Sequence, residues 1–414
     1  MAAFSSLTIE EATECLIDYR GKTPPKTDSG VRLVTAKVVK GGQIHDEPAE
    51  YIAADFYDEW MRRGLPQKLD VLLTTEAPLG EVAILRDDAR IALAQRIILL
   101  RAKPGLLDPL YLFYALQSDF GQGELKARAS GTTVLGIKQS ELRKVRIPVF
   151  PLPIQQRIAG ILSAYDELIE NSQRRIKILE TMTRALYREW FVNFRFPGHE
   201  SIPRVPSPLG EIPQGWEVRS FTEIADVLSG GTPKTSIAEY WDGEIPFFTP
   251  RDAPDCFYVQ DTGKHITELG LSKCASELYP PDTVFITARG TVGKVALPSV
   301  PMAMNQSCYA LRGKEDVPQC YVFLLTLQQV DYLKTNTGGA TFDTIVVDTF
   351  RRMQVVRPPR AVIVRFAGLV DAMFEQMNTV QRQTQNLRRT RDLLLPRLLS
   401  GQISITTGGS YVNA

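Results

Sequence analysis

Two parts of the chain show the same succession of short apolar runs, each followed by one long amphipathic stretch. The short runs are rich in Val, Ile and Thr and are bounded by Gly, Pro and Asp, which is typical of β-strands. Proline clusters end each series before a helical periodicity begins. The runs predicted as strands are 31–39, 70–75, 82–85 and 91–100 in the first part and 245–249, 283–287, 292–297 and 307–311 in the second.

The two long stretches repeat apolar residues at alternating steps of four and three, which indicates a heptad seam. Pro197 and Gly198 stop the first predicted helix, and Pro396 and Gly401 end the second. At 1.5 Å per residue the helices would span roughly 63 and 54 Å. Since each seam needs a partner, we predict that the two helices pair as a coiled coil. The predicted seam residues are Ile158, Ile161, Tyr165, Leu168, Leu179, Met182, Leu186, Phe366, Leu369, Met373, Val380, Leu387 and Leu394.

The chain repeats itself after a shift of 208 positions. Residues 128–162 overlay 336–370 without a gap and share eight identical positions, where chance would give roughly two at average composition. Gly131 and Ile137 meet Gly339 and Ile345, for example. Solenoid repeats are only 20–50 residues long, so this period indicates a domain duplication. The predicted boundaries are 1–150 and 215–357 for the globular repeats, 151–196 and 358–400 for the helices, 197–214 for a Pro-rich linker, and 401–414 for a poorly ordered tail.

Composition narrows the class of protein. Hydrophobic residues make up 44% and charged residues 23% of 414 residues, which is ordinary for a globular protein and excludes a largely disordered chain. The N-terminal segment lacks the basic and then apolar layout of a signal peptide, and no apolar run approaches the ~20 residues that span a bilayer, so we expect a cytoplasmic location. A net charge of +1 means that nucleic acid could be bound only through local patches. One candidate patch lies between 351 and 397, where the sequence has ten Arg and three acidic residues. A solvated helix face could have the same composition.

Catalytic and metal-binding patterns are missing from the sequence. The three His are far apart, the five Cys form no CxxC pair, and no metal site is predicted. The segment from Gly290 to Lys294 lacks the spacing of a phosphate-binding loop. Asp108, Glu124 and Lys126 could imitate a nuclease triplet but have no counterpart in the second repeat. The pattern favours binding and scaffolding over catalysis.

Polar loops in both repeats carry groups that could contact bases and phosphates. Any one of them could equally be a simple turn, but their recurrence in both copies favours a functional role. The candidate DNA-binding residues are Lys22, Thr23, Lys26, Lys37, Thr75, Thr132, Thr133 and Lys138 in the first repeat and Thr232, Lys234, Thr249, Arg251, Arg289 and Thr341 in the second.

Several segments, in this order and duplicated, resemble the specificity subunit of type I restriction–modification systems. They are Leu69-Asp-Val-Leu-Leu-Thr74, the 80–84 segment with Gln95 downstream, Pro151-Leu-Pro-Ile-Gln-Gln-Arg157, Pro208-Leu-Gly-Glu-Ile-Pro-Gln-Gly-Trp216 and the closing segment 393–401. The second repeat departs from the pattern, because residues 360–365 replace the Leu-Pro-Ile-Gln-Gln-Arg segment of the first. This departure leaves the start of the second helix open.

The resemblance implies a mixed α/β (α+β) fold with two pseudo-repeated target recognition domains, separated by two long conserved helices that form an antiparallel coiled coil. Each domain would read one half of a bipartite, asymmetric site in double-stranded DNA. The helices would set the spacing and dock two methyltransferase subunits, with restriction subunits joining for cleavage. The chain itself would be non-catalytic, with S-adenosylmethionine, ATP and Mg²⁺ bound by the partners.

Two alternatives of other classes remain open, as does a close variant in which the chain is an S-like subunit of another multi-subunit modification system. The chain could be a single-chain nuclease or methyltransferase with its own recognition domains, although the catalytic motifs are missing. It could also be a coiled-coil interaction scaffold that does not read DNA. Binding of S-adenosylmethionine by the isolated chain would favour the first alternative, and a salt-sensitive DNA complex would count against the second.

Overall fold

The structure is a computed structural model that describes residues 5–19, 23–314, 317–336, 344–403 and 405. Two of the predicted DNA-binding residues, Lys22 and Thr341, and most of the predicted tail lie outside these residues. The chain divides into two compact units. The first unit comprises Met1–Ile169 with Leu387–Ala414, and the second comprises Glu170–Asn386. Each unit therefore contains one globular repeat together with parts of both long helices.

The first unit contains a four-stranded sheet in the order β2-β10-β7-β8 and a three-stranded sheet in the order β6-β3-β9, in which β3 and β9 are parallel. Its strands are β1 Ser5–Thr8, β2 Thr13–Asp18, β3 Val31–Val34, β4 Val39–Lys40, β5 Gln43–Ile44, β6 Tyr51–Ile52, β7 Val71–Thr75, β8 Leu79–Ile84, β9 Ile91–Leu93, β10 Ile97–Ala102 and β11 Arg146–Val149. Its short helices are α1 Ile9–Ala12, α2 Tyr57–Trp60, α3 Pro109–Gln117, α4 Asp119–Ala127 and α5 Gln139–Leu142.

The central strands of this unit are apolar without alternation because both faces of the sheet are covered. Leu73 and Ile98 face a core that includes α3, whereas Leu72 and Leu99 face the core shared with β3 and β9. The continuous run of Val, Ile and Leu in β7 and β10 therefore reflects burial on both sides.

The second unit repeats this arrangement. Its sheets have the orders β15-β22-β19-β20-β17 and β18-β16-β21, and β16 and β21 are again parallel. The strands are β12 Arg204–Ser207, β13 Gly210–Pro213, β14 Glu217–Ser220, β15 Ala225–Ser229, β16 Trp241–Phe248, β17 Tyr258–Val259, β18 His265–Ile266, β19 Val284–Thr287, β20 Val295–Pro298, β21 Ala303–Met304, β22 Cys308–Gly313 and β23 Gln354–Arg357. The helices before the long one are α7 Phe221–Ile224, α8 Glu268–Ser272, α9 Gln319–Asn336 and α10 Val347–Arg352. The duplication predicted from the sequence is confirmed by the matching strand orders.

Two long helices follow the repeats. We name them α6, Leu152–Tyr187, which continues as a π-helical turn at Arg188–Val192, and α11, Arg360–Leu399. In the first unit, Ile158 and Leu162 of α6 share a core with Leu398 and Leu399 near the end of α11. In the second unit, later residues of α6 share a core with earlier residues of α11, among them Phe366. The predicted antiparallel pairing of the helices is confirmed, because the start of α6 shares a core with the end of α11 and the end of α6 shares a core with the start of α11.

The predicted seam is correct at some positions in each helix, and at others the next residue along is the more buried one. Leu168, Met182 and Leu369 were predicted to lie in the seam, but they are 53%, 45% and 49% exposed. Ile158, Leu179, Phe366 and Val380 are buried, and the other predicted seam residues Ile161, Tyr165, Leu186, Met373, Leu387 and Leu394 are half-buried. A further line of buried residues runs one position later, through Gln155, Ala159, Leu162, Ile169, Ile176, Thr183 and Tyr187 in α6 and Ile363, Ala367, Val370, Phe374, Met377 and Thr384 in α11.

This line includes buried polar residues, so a search of the sequence for apolar residues at heptad spacing does not find it. The buried amide of Gln155 accepts a hydrogen bond from the Asp108 N–H at 2.9 Å and donates to the carbonyl oxygens of Leu106 and Phe150. It therefore ties α6 to the globular part of the first unit. An apolar residue at this position would leave backbone groups buried without partners, whereas Gln155 satisfies them.

The first unit is also fixed by an ion pair between its two helical segments. Arg391 Nη1 lies 2.6 Å from Asp166 Oδ1, and the Tyr114 hydroxyl donates to Asp166 Oδ2 at 2.5 Å. Burial and the nearby Asp166 carboxylate raise the pKa of Tyr114, and hydrogen bonds to Asp166 and Asp392 raise the pKa of Arg391 despite its partial burial.

The second unit uses different contacts for the same purpose. The Phe257 N–H donates to Glu180 Oε1 of α6 at 2.7 Å, and Gln381 of α11 donates to the Tyr258 carbonyl at 2.7 Å. Burial raises the pKa of Glu180. Both helices therefore hold the segment that contains β17.

The structure adds detail to one predicted connection and corrects one predicted helix end. The segment predicted as a linker contains a β12–β13 ribbon, which its prolines permit because both strands of a two-stranded ribbon are edges. Pro396 does not end α11, which continues to Leu399. It is tolerated in the last turn, where the buried side chains of Leu398 and Leu399 hold the helix end in the core.

Candidate nucleic-acid interface

Backbone hydrogen bonds bring four separate loops of the first unit together at one end of its strands. Ala94 donates to the Val34 carbonyl at 3.0 Å, which joins the ends of β9 and β3. Thr75 donates to Arg96 at 2.9 Å, and Ile137 donates to Thr75 at 3.0 Å. We call residues 35–38, 75–76, 94–96 and 130–138 the first loop cluster.

The second unit has the same three hydrogen bonds at equivalent places. Asn305 donates to the Phe248 carbonyl at 2.9 Å, Ala288 to Ser307 at 2.7 Å, and Ile345 to Ala288 at 3.0 Å. We call residues 230–234, 249–252, 288–290, 305–307 and 344–345 the second loop cluster.

These shared bonds define which residues correspond, although the sequence alignment there contains gaps. Gln95 corresponds to Gln306, and Glu76 corresponds to Arg289. The turns 35–38 and 249–252 close with the same backbone bond, so Lys37 corresponds to Arg251. The sequence-predicted loops are therefore neighbours within each repeat.

In the first unit, two of the candidate lysines share one carboxylate. Lys26 Nζ lies 2.8 Å from Glu50 Oε2, and Lys37 Nζ lies 3.4 Å from Glu50 Oε1. The hydrogen bond from Lys26, aided by Lys37, lowers the pKa of Glu50, so this carboxylate is ionised at neutral pH. Thr23 is exposed nearby in the sequence. Sequence reasoning missed Glu50, because its approach to the lysines depends on the pairing of β6 with β3.

The remaining candidates of the first unit surround a groove of about 350 Å³. Glu76, Gln95 and Lys138 line it, and the exposed Thr132 and Thr133 lie in the adjoining loop. That loop is closed by paired backbone bonds between Ser130 and Gly136 at 2.8 and 2.9 Å. Thr75 also lines the groove but is buried, so it supports the loop through its backbone and does not present its hydroxyl.

In the second unit, the candidate threonines are occupied by local contacts. Thr232 donates to the Gln306 side chain, and Thr249 Oγ1 donates to Asp252 at 2.6 Å, which fixes the turn that carries Arg251. Arg251, Arg289 and Lys234 are exposed, and none of them forms an ion pair with a residue that the structure describes.

The two repeats also differ in charge at the position of Glu50. Leu33 donates to the carbonyl of Glu50 at 2.8 Å, and Phe247 donates in the same way to Lys264 at 2.9 Å. Lys264 therefore occupies the place of Glu50, and its ammonium lies 5.4 Å from the ring centre of Trp241. The carboxylate that neutralises Lys26 and Lys37 is replaced by a cation in the second repeat.

Two of the three residues considered as a nuclease triplet have structural roles. Asp108 caps α3 by accepting from the Tyr111 N–H at 2.9 Å, and Glu124 pairs with Arg128 at 3.2 Å. Within the described ranges, no group of three His, Cys, Asp or Glu side chains is placed to hold a metal ion. No helix in the described part of the chain is long and apolar enough to cross a membrane.

Comparison with known proteins fits this duplicated architecture. The profile of the type I restriction modification DNA specificity domain matches residues 62–181 and 213–379, one segment in each repeat and together more than half of the chain. The chain belongs to this family. As a member of the type I specificity family it has relatives that match over most of their length.

The MjaIX type I restriction enzyme specificity subunit of Methanocaldococcus jannaschii is 27% identical over 81% of this chain and 78% of its own. The HindI specificity subunit of Haemophilus influenzae is 23% identical over 60% of this chain and 67% of its own. The crystal structure of the type I restriction–modification S subunit from M. genitalium superposes with a TM-score of 0.60 over 96% of both chains at 18% identity, which shows that the fold is shared.

Proposed function

We propose that this specificity subunit reads one half of a bipartite, asymmetric DNA site with each of its two loop clusters. The observation that carries the proposal is the triplet of equivalent backbone hydrogen bonds, which gathers the predicted polar loops at one place in each repeat. Exposed cations such as Arg251, Lys234 and Lys138 would contact phosphates and supply salt-dependent affinity. Other side chains of the clusters would contact base edges and supply the sequence choice.

The two long helices would set the spacing and dock the partners. Because α6 and α11 each contribute residues to both units, their length would fix the number of unread base pairs between the half-sites. Their exposed apolar side chains, among them Leu168, Ile178, Met182 and Leu369, would form the contact surface for two methyltransferase subunits.

Methylation and cleavage of the DNA would be carried out by the partner subunits. In this proposal the chain has no catalytic site of its own, and the methyltransferase subunits bind S-adenosylmethionine. The restriction subunits would bind ATP and Mg²⁺ for cleavage. The complex would act in the cytoplasm, where its DNA substrate is found.

A salt titration of DNA binding by the full chain tests the proposal. The probe is a pool of random-sequence duplex DNA, and the readout is fluorescence anisotropy at several salt concentrations. We expect Arg251→Gln and Lys234→Gln each to weaken binding roughly threefold to tenfold and to reduce the slope of log affinity against log salt by about 1. Lys26→Gln should have a smaller effect, because Glu50 already neutralises part of its charge.

Arg219→Gln is the matched control. Arg219 is an exposed arginine on β14 that pairs with Glu217, and it belongs to neither loop cluster. Its replacement should leave the salt slope unchanged. Equal effects of all four variants would contradict the assignment of the clusters. Salt-insensitive DNA binding by the wild-type chain would contradict DNA reading altogether and would favour a protein scaffold.

Methylation provides the second measurement. When the chain is expressed with its genomically adjacent methyltransferase, sequencing of modified bases should show a bipartite motif with a fixed unread gap. Replacing residues 1–150 by the corresponding region of another family member should change one half of the motif and leave the other half intact. A motif that changes in both halves would show that the repeats do not read separately.

A further inference from the structure

In each loop cluster, one residue just beyond a strand end is charged and accessible to solvent, and its sign is opposite in the two repeats. In the first repeat this residue is Glu76, which lies 2.8 Å from Arg96, and both side chains are nearly half exposed. In the second repeat the corresponding residues are Arg289 and Ser307, because Ala288 donates to Ser307 just as Thr75 donates to Arg96. The framework is therefore constant while the hydrogen-bonding groups that it presents are exchanged.

The Glu76–Arg96 pair is held in place by its surroundings. The backbone of Glu76 forms a bridge with Gly136, and a Cβ at Gly136 would lie 3.2 Å from that of Glu76. The loop therefore packs closely against Glu76, and Glu76 lines the groove beside Gln95 and Lys138. An exposed ion pair of this kind contributes little to stability, so its position at the mouth of a polar groove calls for another explanation.

The chemistry of the pair fits the edge of one base pair. A carboxylate accepts from the amino group of cytosine, and an arginine donates two hydrogen bonds to guanine. An adjacent glutamate and arginine therefore complement a C·G pair in the major groove. A single arginine beside a serine hydroxyl, as in the second repeat, complements a guanine without requiring its partner base to be read.

We propose that Glu76 with Arg96, and Arg289 in the equivalent place, are specificity-determining residues that each select one base pair, a C·G pair in the first half-site and a guanine in the second. This inference rests on the proposed function, because it assigns base-reading residues within the DNA-reading clusters. Replacing one group should change the preference at one position of one half-site.

Selection from a random-sequence duplex library, with the full chain bound to its methyltransferase partner, measures this directly. We expect Arg289→Ala to lower the preference for guanine at one position of one half-site by roughly ten- to a hundredfold. Glu76→Ala and Arg96→Ala should relax a single position of the other half-site. Overall affinity at low salt should change far less than it does for Arg251→Gln.

A substitution that reverses the charge is a sharper test, because a variant that is only damaged loses a base preference but does not gain a new one. Arg289→Glu should replace guanine by cytosine at the same position. Glu217→Ala serves as the control, since it removes a similarly exposed carboxylate that pairs with Arg219 at 2.9 Å outside the clusters. Thermal melting of every variant should match that of the wild-type chain.

The outcomes separate this inference from the proposed function. A wild-type motif that persists unchanged in the Glu76, Arg96 and Arg289 variants overturns the inference and leaves the proposed function standing. Loss of preference at every position of a half-site also overturns it, because the residues would then support the loop and not read a base. Absence of any motif for the wild-type complex overturns both.

Discussion

The two repeats share a backbone framework but differ in how their charges are balanced. Equivalent hydrogen bonds fix the strand ends in both, yet Glu50 of the first repeat is replaced by Lys264 and Glu76 by Arg289. In the first repeat, carboxylates hold Lys26, Lys37 and Arg96 in ion pairs, whereas in the second repeat Arg251 and Arg289 form none with described residues. The comparison teaches that a duplicated scaffold conserves the groups that hydrogen-bond inside it and varies those that face outward.

The largest expected effect tests whether the two units fold separately. Phe366 and Ile158 occupy the same place in the repeat, and both are fully buried against different cores. Phe366→Ala should lower the unfolding free energy of the second unit by about 4 kcal/mol, and Ile158→Ala that of the first by about 3 kcal/mol. Hydrogen exchange followed on β22 and β10 would report each unit, and a loss of protection in the wrong unit would contradict the division.

The next effect concerns an ion pair between the two long helices in the first unit. Arg391 pairs with Asp166, but its counterpart in α6 is Thr183, which donates to a carbonyl of its own helix. Arg391→Ala should destabilise the first unit by about 2 kcal/mol, less than a fully buried pair would cost, because both side chains keep some exposure. Denaturant unfolding measures this. The double variant Asp166→Asn with Arg391→Met should recover part of the loss, and no recovery would mean that packing, not charge, dominates.

A smaller change should make the charges of the first repeat resemble those of the second. Glu50→Lys removes the carboxylate that neutralises Lys26 and Lys37 and installs the residue found at the equivalent place. We expect DNA affinity to rise a few-fold and the salt slope to grow by about 1 or more. Glu50→Gln should give part of the gain, and the salt titration of binding compares the two. A weaker complex in both variants would mean that Glu50 positions the lysines for DNA.

The same residue gives a pH prediction with a defined sign. The pKa of Glu50 lies below its ordinary value of 4.5, so its ion pairs contribute stability above that value and lose it as the pH falls further. The contribution should be small, at most about 1 kcal/mol, because the lysines remain exposed. Between pH 6 and 8, unfolding of the wild-type chain and of Glu50→Gln should therefore differ by a constant amount.

The smallest effect tests the corrected seam. A charge at Leu168 would disrupt the helix pair if the residue lay in the seam, but it is 53% exposed. Leu168→Lys should therefore change the unfolding free energy by less than about 0.5 kcal/mol. Ile169→Lys, one position along and buried, should cost several times more and serves as the matched variant. Equal costs would restore the original seam.

Much of the architecture follows from local patterns. The eight identities between residues 128–162 and 336–370 reveal the duplication. One identical pair, Ile137 and Ile345, makes the same backbone hydrogen bond in both units. Apolar periodicity predicts both long helices, and the departure at residues 360–365 does not move the start of α11, which is Arg360. The resemblance then suggests the family correctly, because its segments lie in both repeats.

The rest depends on contacts between distant segments. Part of the buried line lies one residue beyond the predicted seam, and there Gln155 satisfies backbone groups of the first repeat, which no helical periodicity reveals. Glu50 and Lys264 are recognised as equivalent only after the strands have been paired. Thr75, Thr232 and Thr249 look like free hydroxyls in the sequence, but burial or a neighbouring side chain occupies them.

The shared helix α11 has a consequence for the order in which the protein is made. Leu398 and Leu399 complete the core of the first unit, yet the ribosome synthesises them after all of the second unit. At 5–20 residues per second, translation of residues 170–386 takes roughly 10 to 45 seconds. The first repeat to leave the ribosome is thus the last to be completed, and a chain terminated just before Leu398 would lack part of the first unit's core while containing every residue of the second unit.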